Sequence, residues 1–193
     1  VLLAIAVGLG ITYTWDYQSV QWMQSITPRI LDLPFSILSI FGAAEICIPL
    51  FLVMWYLAPA RARFLLAILF ALAILIPTLG KMTIYQAPLP DGWFRYVFTF
   101  GAPTSYISTA YSFPSGHVTR ASFLSVLAMS LVVQSTWNKR TKQIVNTLLI
   151  AYLLSMLYSR PYLAEHWLTD AIGGTLLGVG LCFLVLDRML VRE

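Results

Sequence analysis

Two short stretches of this chain combine a histidine with groups that bind oxyanions. The first is Phe113-Pro114-Ser115-Gly116-His117, and the second runs from Ser159-Arg160 through His166 to Asp170. The chain has two histidines, one in each stretch. Ser115 and the backbone N–H groups around Gly116 precede an apolar helix predicted to begin near Val118, and such a helix N-terminus binds phosphate. Gly116 lets the backbone approach an anion closely, and His117, just inside the helix, is suited to protonating a leaving oxygen. In the second stretch Arg160 offers a planar fork for two phosphate oxygens, and the spacing of His166 and Asp170 predicts both side chains on one face of a helix turn. A carboxylate so placed holds the imidazole Nδ1–H and leaves the other ring nitrogen free to attack phosphorus.

The elements that must carry these groups are apolar. Of 193 residues, 59% are hydrophobic and 10% charged, against roughly 25% charged in an ordinary soluble domain. Apolar runs fall at about 1–13, 35–57, 64–79, 118–133, 144–158 and 171–186. Several are shorter than the ~20 residues a helix needs to cross a bilayer, so they are expected to extend into flanking polar residues. The expectation is an all-α, integral membrane six-helix bundle with outer loop and interfacial helices, forming a single domain over 1–193. The opening residues have neither an initiating Met nor a basic leader, which suggests a trimmed N-terminus.

Six spans place Arg61 and Arg63, then Lys139, Arg140 and Lys142, then Arg188 and Arg192 on one side, which the basic excess marks as cytoplasmic. Both termini then lie inside, and both histidine stretches lie at the extracytoplasmic surface. A lone histidine at a membrane edge is usually an interfacial or capping residue. Two of them on the same side, each with oxyanion donors, argue for a shared site. The net charge of +4 is spread thinly over short loops, so nucleic-acid binding is excluded.

Other features have plainer readings. The segment 16–34 contains Trp15, Tyr17 and Trp22 beside or within it and suits either a helix at headgroup level or a simple loop. The long, Pro- and aromatic-rich segment 81–117 is expected over the membrane surface. Cys47 and Cys182 read as small buried hydrophobes, and Gly173, Gly174 and Gly178 as a close helix contact. Glu45 is costly within a span unless it is protonated or paired. Tyr162 and Trp167 are expected to anchor the interface.

The two histidine stretches, in this order, resemble the signature of the phosphatidic acid phosphatase type 2 superfamily: Lys-x6-Arg-Pro, then Pro-Ser-Gly-His, then Ser-Arg-x5-His-x3-Asp. The second and third parts match in full, and the resemblance runs from about Lys81 to Leu186. It implies that His166 is a nucleophile forming a phosphohistidine, that Asp170 orients it, and that His117 is the acid for the leaving group. Lys81, Ser115, Gly116 and Arg160 would hold the phosphate. It implies no metal and no cofactor, with a lipid phosphate as substrate and the bilayer as its setting.

The first signature departs from the pattern. Lys81 is present, but Pro88, or Ala87 with one deletion, stands where the arginine belongs. Arg95 or Arg120 is expected to compensate. Arg120 lies three residues after His117, in a context that looks like polyisoprenoid diphosphate phosphatases, although a side chain snorkelling to the headgroups is an equal reading. The substrate classes implied are isoprenoid (undecaprenyl-type) diphosphate, phosphatidylglycerol phosphate and phosphatidic acid. Alternatives are phosphotransfer to a second lipid, or binding of lipid phosphates without catalysis; vanadate-dependent haloperoxidation is disfavoured because those proteins are soluble and larger.

Overall fold

Runs of Leu, Ile, Ala and Phe free of turn residues fold as helices, and breaks fall where glycine, proline or clustered polar residues intervene. The computed structural model describes residues 1–97 and 111–190, and all regular structure among them is helical. In chain order the helices are α1 (Leu2–Gly8), α2 (Tyr13–Ile26), a 3-10 turn (Arg29–Leu31), α3 (Asp32–Ile40), α4 (Ala44–Leu57), α5 (Ala60–Thr83), α6 (Gly116–Gln134), α7 (Lys139–Tyr162), α8 (Leu168–Phe183) and α9 (Leu186–Leu190).

Helices α5 and α6 are long and apolar enough to cross a bilayer, and the pair formed by 29–40 with α4, bent by 50°, makes a third if it is counted as one span. The expected runs 64–79, 118–133 and 144–158 lie within α5, α6 and α7, and each of these helices continues into polar flanks. The others are divided. Run 35–57 breaks at 41–43 around Gly42, run 171–186 ends its helix at Phe183, and run 1–13 is interrupted at Gly10, whose φ of 71° is left-handed and stops α1. Segment 16–34 takes the helical reading, as α2. Part of the segment 81–117 and Arg192 lie outside the described residues.

Helix α6 is the central post. Phe123, Leu127 and Leu124 on it pack with Leu66, Phe70, Phe51 and Cys47, and the Phe51 and Phe70 rings stack at 4.0 Å. Cys182 is buried in the same cluster, so both thiols act as small hydrophobes. The outward faces carry Leu75 and Leu79 on α5, Leu148 and Leu154 on α7 and Leu176 on α8, all exposed. Such a surface is stable only against hydrocarbon, which makes this a membrane protein.

Helix α8 approaches α6 through its glycines. A Cβ on Gly174 would stand 2.6 Å from the Ser115 carbonyl oxygen, and one on Gly178 would collide with that of Thr119. Since α5 and α7 run one way and α6 and α8 the other, the end of α5, the start of α6, the end of α7 and the start of α8 meet at one end of the bundle. Arg61, Arg63, Lys139, Arg140, Lys142 and Arg188 lie at the opposite end, where Arg61 donates to the Arg188 carbonyl and Lys142 to that of Val133.

Candidate active site

Lys81 lies in the last turn of α5, His117 in the first turn of α6, Arg160 in the last turn of α7 and Asp170 in the first turn of α8. Backbone bonds tie these ends together. The Tyr111 N–H donates to the Lys81 carbonyl at 3.0 Å, and the Ser115 N–H donates to the Asp170 carbonyl at 3.0 Å. His117 stands within electrostatic reach of Arg160, Arg120, His166 and Lys81. Lys81, His117, Arg120, Arg160, His166 and Asp170 therefore form one cluster.

His166 Nδ1 faces Asp170 Oδ2 at 3.1 Å. The sequence reading placed both on one face of a helix turn; instead His166 precedes α8, and Asp170, in the first turn, reaches back across the helix start. The same carboxylate oxygen accepts the Trp167 N–H at 3.0 Å. Asp170 thereby caps α8, where the helix dipole favours its negative charge, and orients the ring in one contact. With Nδ1–H committed to the carboxylate, the lone pair lies on Nε2. His166 is 5% exposed and Asp170 is fully buried. Burial, joined by the charges of Lys81 and Arg160, holds His166 down at about 4 against the opposing pull of Asp170, so the ring is neutral at pH 7.

Ser115 is the N-cap of α6, but its hydroxyl does not cap. Ser115 Oγ is buried without a hydrogen-bond partner among the described residues, as is Arg160 Nε. Unpartnered buried donors are rare, and two of them beside a helix N-terminus suit an oxyanion. Gly116 adds the close approach, since a Cβ there would stand 3.1 Å from Arg120 Nη1. The Arg160 Nη1 atom donates to Ser39 Oγ, and Nη2 pairs with the Glu165 carboxylate. Burial pushes the Glu165 carboxyl upward, against the pull of Arg160 and Lys81.

The two candidates for the missing arginine separate clearly. Arg95 is committed elsewhere: it donates to the Tyr162 hydroxyl at 3.3 Å and the Gln24 carbonyl at 3.1 Å, and lies 5.2 Å above the Tyr162 ring. Arg120 is 9% exposed, so it does not snorkel. Its Nε and Nη2 both donate to the Gly42 carbonyl, at 3.1 and 2.9 Å, which leaves the Nη1 edge toward Gly116. The bend between α3 and α4 is what brings that carbonyl under the site, and a Cβ on Gly42 would stand 3.0 Å from His117 Cβ. Glu45 lies in electrostatic contact with Arg120 rather than alone in the span.

Tyr162 and Trp167 do not anchor an interface, for both are buried. The Tyr162 hydroxyl donates to Asp32 Oδ1 at 2.5 Å, and Trp167 Nε1 donates to the Ala87 carbonyl at 2.8 Å, so both fasten the turn around His166. Asp16 of α2 is a support that the sequence did not reveal. It accepts the Thr169 N–H at 2.8 Å and the Thr169 hydroxyl at 2.6 Å, fixing the start of α8 from another element. Its carboxyl is raised by burial, against those bonds. No local pattern links residues so far apart in the chain; the hint the sequence held was an acidic residue near the start of segment 16–34.

Known proteins share this fold. The structure of a transmembrane PAP2-type phosphatidylglycerolphosphate phosphatase from Bacillus subtilis superposes with a TM-score of 0.75, covering 99% of this chain and 93% of that one at 26% identity. Aquifex aeolicus LpxE shares the fold, with a TM-score of 0.65 over 88% of this chain and 93% of that one at 18% identity. An undecaprenyl-diphosphatase of Sulfolobus acidocaldarius is 30% identical over 151 residues, which is 76% of this chain; the match spans 65% of that relative's length. The PAP2 superfamily model matches residues 62–192, which takes in Lys81, both histidines, Arg160 and Asp170, and on that match the chain belongs to the PAP2 superfamily.

Proposed function

We propose that this chain hydrolyses a lipid phosphomonoester or diphosphate through a phosphohistidine on His166. The observation that carries the reading is the meeting of a neutral, carboxylate-oriented imidazole with a second imidazole and three cations, Lys81, Arg120 and Arg160, at one end of the bundle. His166 Nε2 attacks phosphorus as the bond to the lipid-side oxygen breaks, and His117 gives that oxygen its proton. Asp170 stabilises the imidazolium. Water then attacks the phosphohistidine, His117 takes its proton, the P–N bond breaks and inorganic phosphate leaves. Ser115 Oγ, the backbone at Gly116, Lys81, Arg120 and Arg160 balance the charge of the transferring group, which is the main catalytic lever in such sites. With that charge met by side chains, the reaction proceeds without a metal.

The substrate classes favoured are isoprenoid diphosphate, phosphatidylglycerol phosphate and phosphatidic acid. The relatives named above act on the first two by their own descriptions, which supports the class without choosing within it. Two apolar grooves adjoin the site residues. One, of about 330 Å³, is lined by Phe41, Ala121 and Leu124 next to Gly42 and Arg120; the other, of about 410 Å³, is lined by Gly80 and Pro114 next to Lys81 and Ser115. Either suits an acyl or prenyl chain. The basic residues at the far end support an extracytoplasmic site in a six-span arrangement with both chain ends inside.

The test is phosphate release from a panel of lipid phosphates by purified protein in detergent. Release is expected with at least one class, unchanged by EDTA, inhibited by vanadate and lost in His166→Ala. Label recovered on a lipid acceptor would make the chain a transferase, and lipid binding with no release would make it a binder.

A further inference from the structure

The turn after α7 lays a carboxylate on the arginine that the proposed mechanism uses to grip phosphate. Ala164 takes a φ of 55°. Its N–H donates to the Pro161 carbonyl at 2.9 Å, and the Glu165 N–H donates to the Arg160 carbonyl at 3.2 Å. These two bonds form a Schellman motif, which places the second residue past the helix end against the third residue before it. That contact is commonly hydrophobic. Here it is an ion pair between Glu165 and Arg160 Nη2. The left-handed conformation costs an alanine about 1 kcal/mol, yet the chain adopts it and brings Glu165 back onto the guanidinium.

The carboxylate meets only part of what Arg160 offers. The Nε and Nη2 atoms form the edge that grips an anion with two parallel bonds. Glu165 pairs at Nη2, while Nε is buried with no partner among the described residues. Lys81 and Tyr96 also lie within electrostatic reach of Glu165. A phosphoryl group, with three oxygens and up to two charges, can engage both donors of that edge.

We propose that Glu165 is a specificity-determining residue: an internal stand-in for phosphate that holds one donor of the Arg160 fork and must be displaced by any anion entering the site. The proposal rests on the assignment of Arg160 as a phosphate-binding residue. A tethered carboxylate competes at high effective concentration. A free anion such as inorganic phosphate has only its own contacts with which to displace it, whereas a lipid phosphate adds the binding energy of its tail. Glu165 therefore discriminates against soluble phosphates and speeds departure of the inorganic product.

The experiment is titration of orthovanadate and inorganic phosphate into purified protein, by calorimetry and as inhibitors of lipid phosphate hydrolysis, for the intact chain, Glu165→Gln and Glu165→Asp. Glu165→Gln is expected to tighten both anions by about tenfold or more, the scale of one released charge-assisted bond. KM for the lipid should fall less than the inhibition constant of free phosphate. Glu165→Asp keeps the charge but withdraws it by one methylene, so partial tightening there ties the effect to the contact with Arg160. Unchanged or weaker binding in Glu165→Gln overturns the proposal, as does tightening in Gln with none in Asp. If Glu165→Gln does not fold, Glu165→Asp alone decides: unaltered anion affinity refutes. Calorimetry reads anion affinity without turnover, so full activity in His166→Ala would sink the mechanism while leaving this question to its own result.

Discussion

A tight helix contact beside the site offers a stringent perturbation, Gly174→Ala. Gly174 faces α6, and a Cβ there would stand 2.6 Å from the Ser115 carbonyl oxygen and 3.2 Å from both the backbone nitrogen and the hydroxyl of Thr119. Ordinary contact begins near 3.4 Å, so the start of α6 must retreat from α8 by about 0.8 Å. The obstacle is backbone, which cannot swing aside as a flexible side chain would. The shift falls on the pair of elements whose ends carry Ser115, His117 and Asp170, and it stretches the 3.0 Å bond from the Ser115 N–H to the Asp170 carbonyl. Misplacement by 1 Å can cost about 100-fold in rate, so a fall of several tens-fold in kcat is expected. Overpacking should also lower stability by about 1–3 kcal/mol. Gly180 is the control: it lies on the same helix with nothing within 4 Å of an added Cβ, so Gly180→Ala should be neutral or stabilise by up to about 1 kcal/mol through helix propensity. Both are read by phosphate release and thermal unfolding in detergent. Equal kcat and melting temperature for Gly174→Ala and the intact chain would refute the claim that this contact sets the site.

Asp170→Asn keeps an acceptor for the Trp167 N–H but removes the charge behind His166 Nδ1 and allows the wrong tautomer; kcat is expected to fall by roughly three to four orders of magnitude, as in other His–Asp pairs, with the helical circular dichroism retained. For the pH profile the sign follows from burial. His166 titrates at about 4, below its ordinary 6.5, so it remains an unprotonated nucleophile as pH falls through 6.5, and the His166 limb of kcat/KM should lie near 4; a limb assigned to this residue at 6.5 would contradict the geometry. Asp16→Ala strips two bonds from Thr169 at the start of α8 and should cost about 1–3 kcal/mol with a lower kcat, measured by thermal melts and turnover, while an unaffected protein would mean that α2 does not brace α8.

The candidate site was legible to the extent that its residues are local in sequence. Ser115, Gly116 and His117 are adjacent, and Arg160, His166 and Asp170 fall in one short stretch, so residue type and spacing sufficed to single them out as candidates, and the fold brings them to one end of the bundle. Helices α5, α6 and α7 were legible from their apolar runs, and their extension into polar flanks from bilayer thickness alone, whereas the other three runs are divided. What spacing could not supply was the path of the chain between runs. A period of three to four predicts a helix face, but His166 meets Asp170 across a helix start, because a carboxylate at that position is also the group that best satisfies a free N–H. Tyr162 and Trp167 look interfacial by type; their polar atoms instead meet Asp32 and Ala87, partners that composition does not disclose.

In the proposed mechanism the fold supplies, through Arg120, the charge that the first motif lacks. Pro88 and Ala87 provide no charge, and Arg95 is drawn away to Tyr162 and Gln24. Arg120 is held there because α3 and α4 are not one straight helix: the break at Gly42 frees a carbonyl that takes two of its donors, and Glu45 in the first turn of α4 offsets part of the buried charge. A guanidinium buried without such partners would be prohibitively costly. The bend, the glycine at its apex and the acidic residue just after it thus act together to keep one cation buried beneath Gly116. Filling the apex should uncouple them, since a Cβ on Gly42 would stand 2.6 Å from Met156 Cε and 3.0 Å from His117 Cβ, displacing the carbonyl that holds Arg120 along with the imidazole above it.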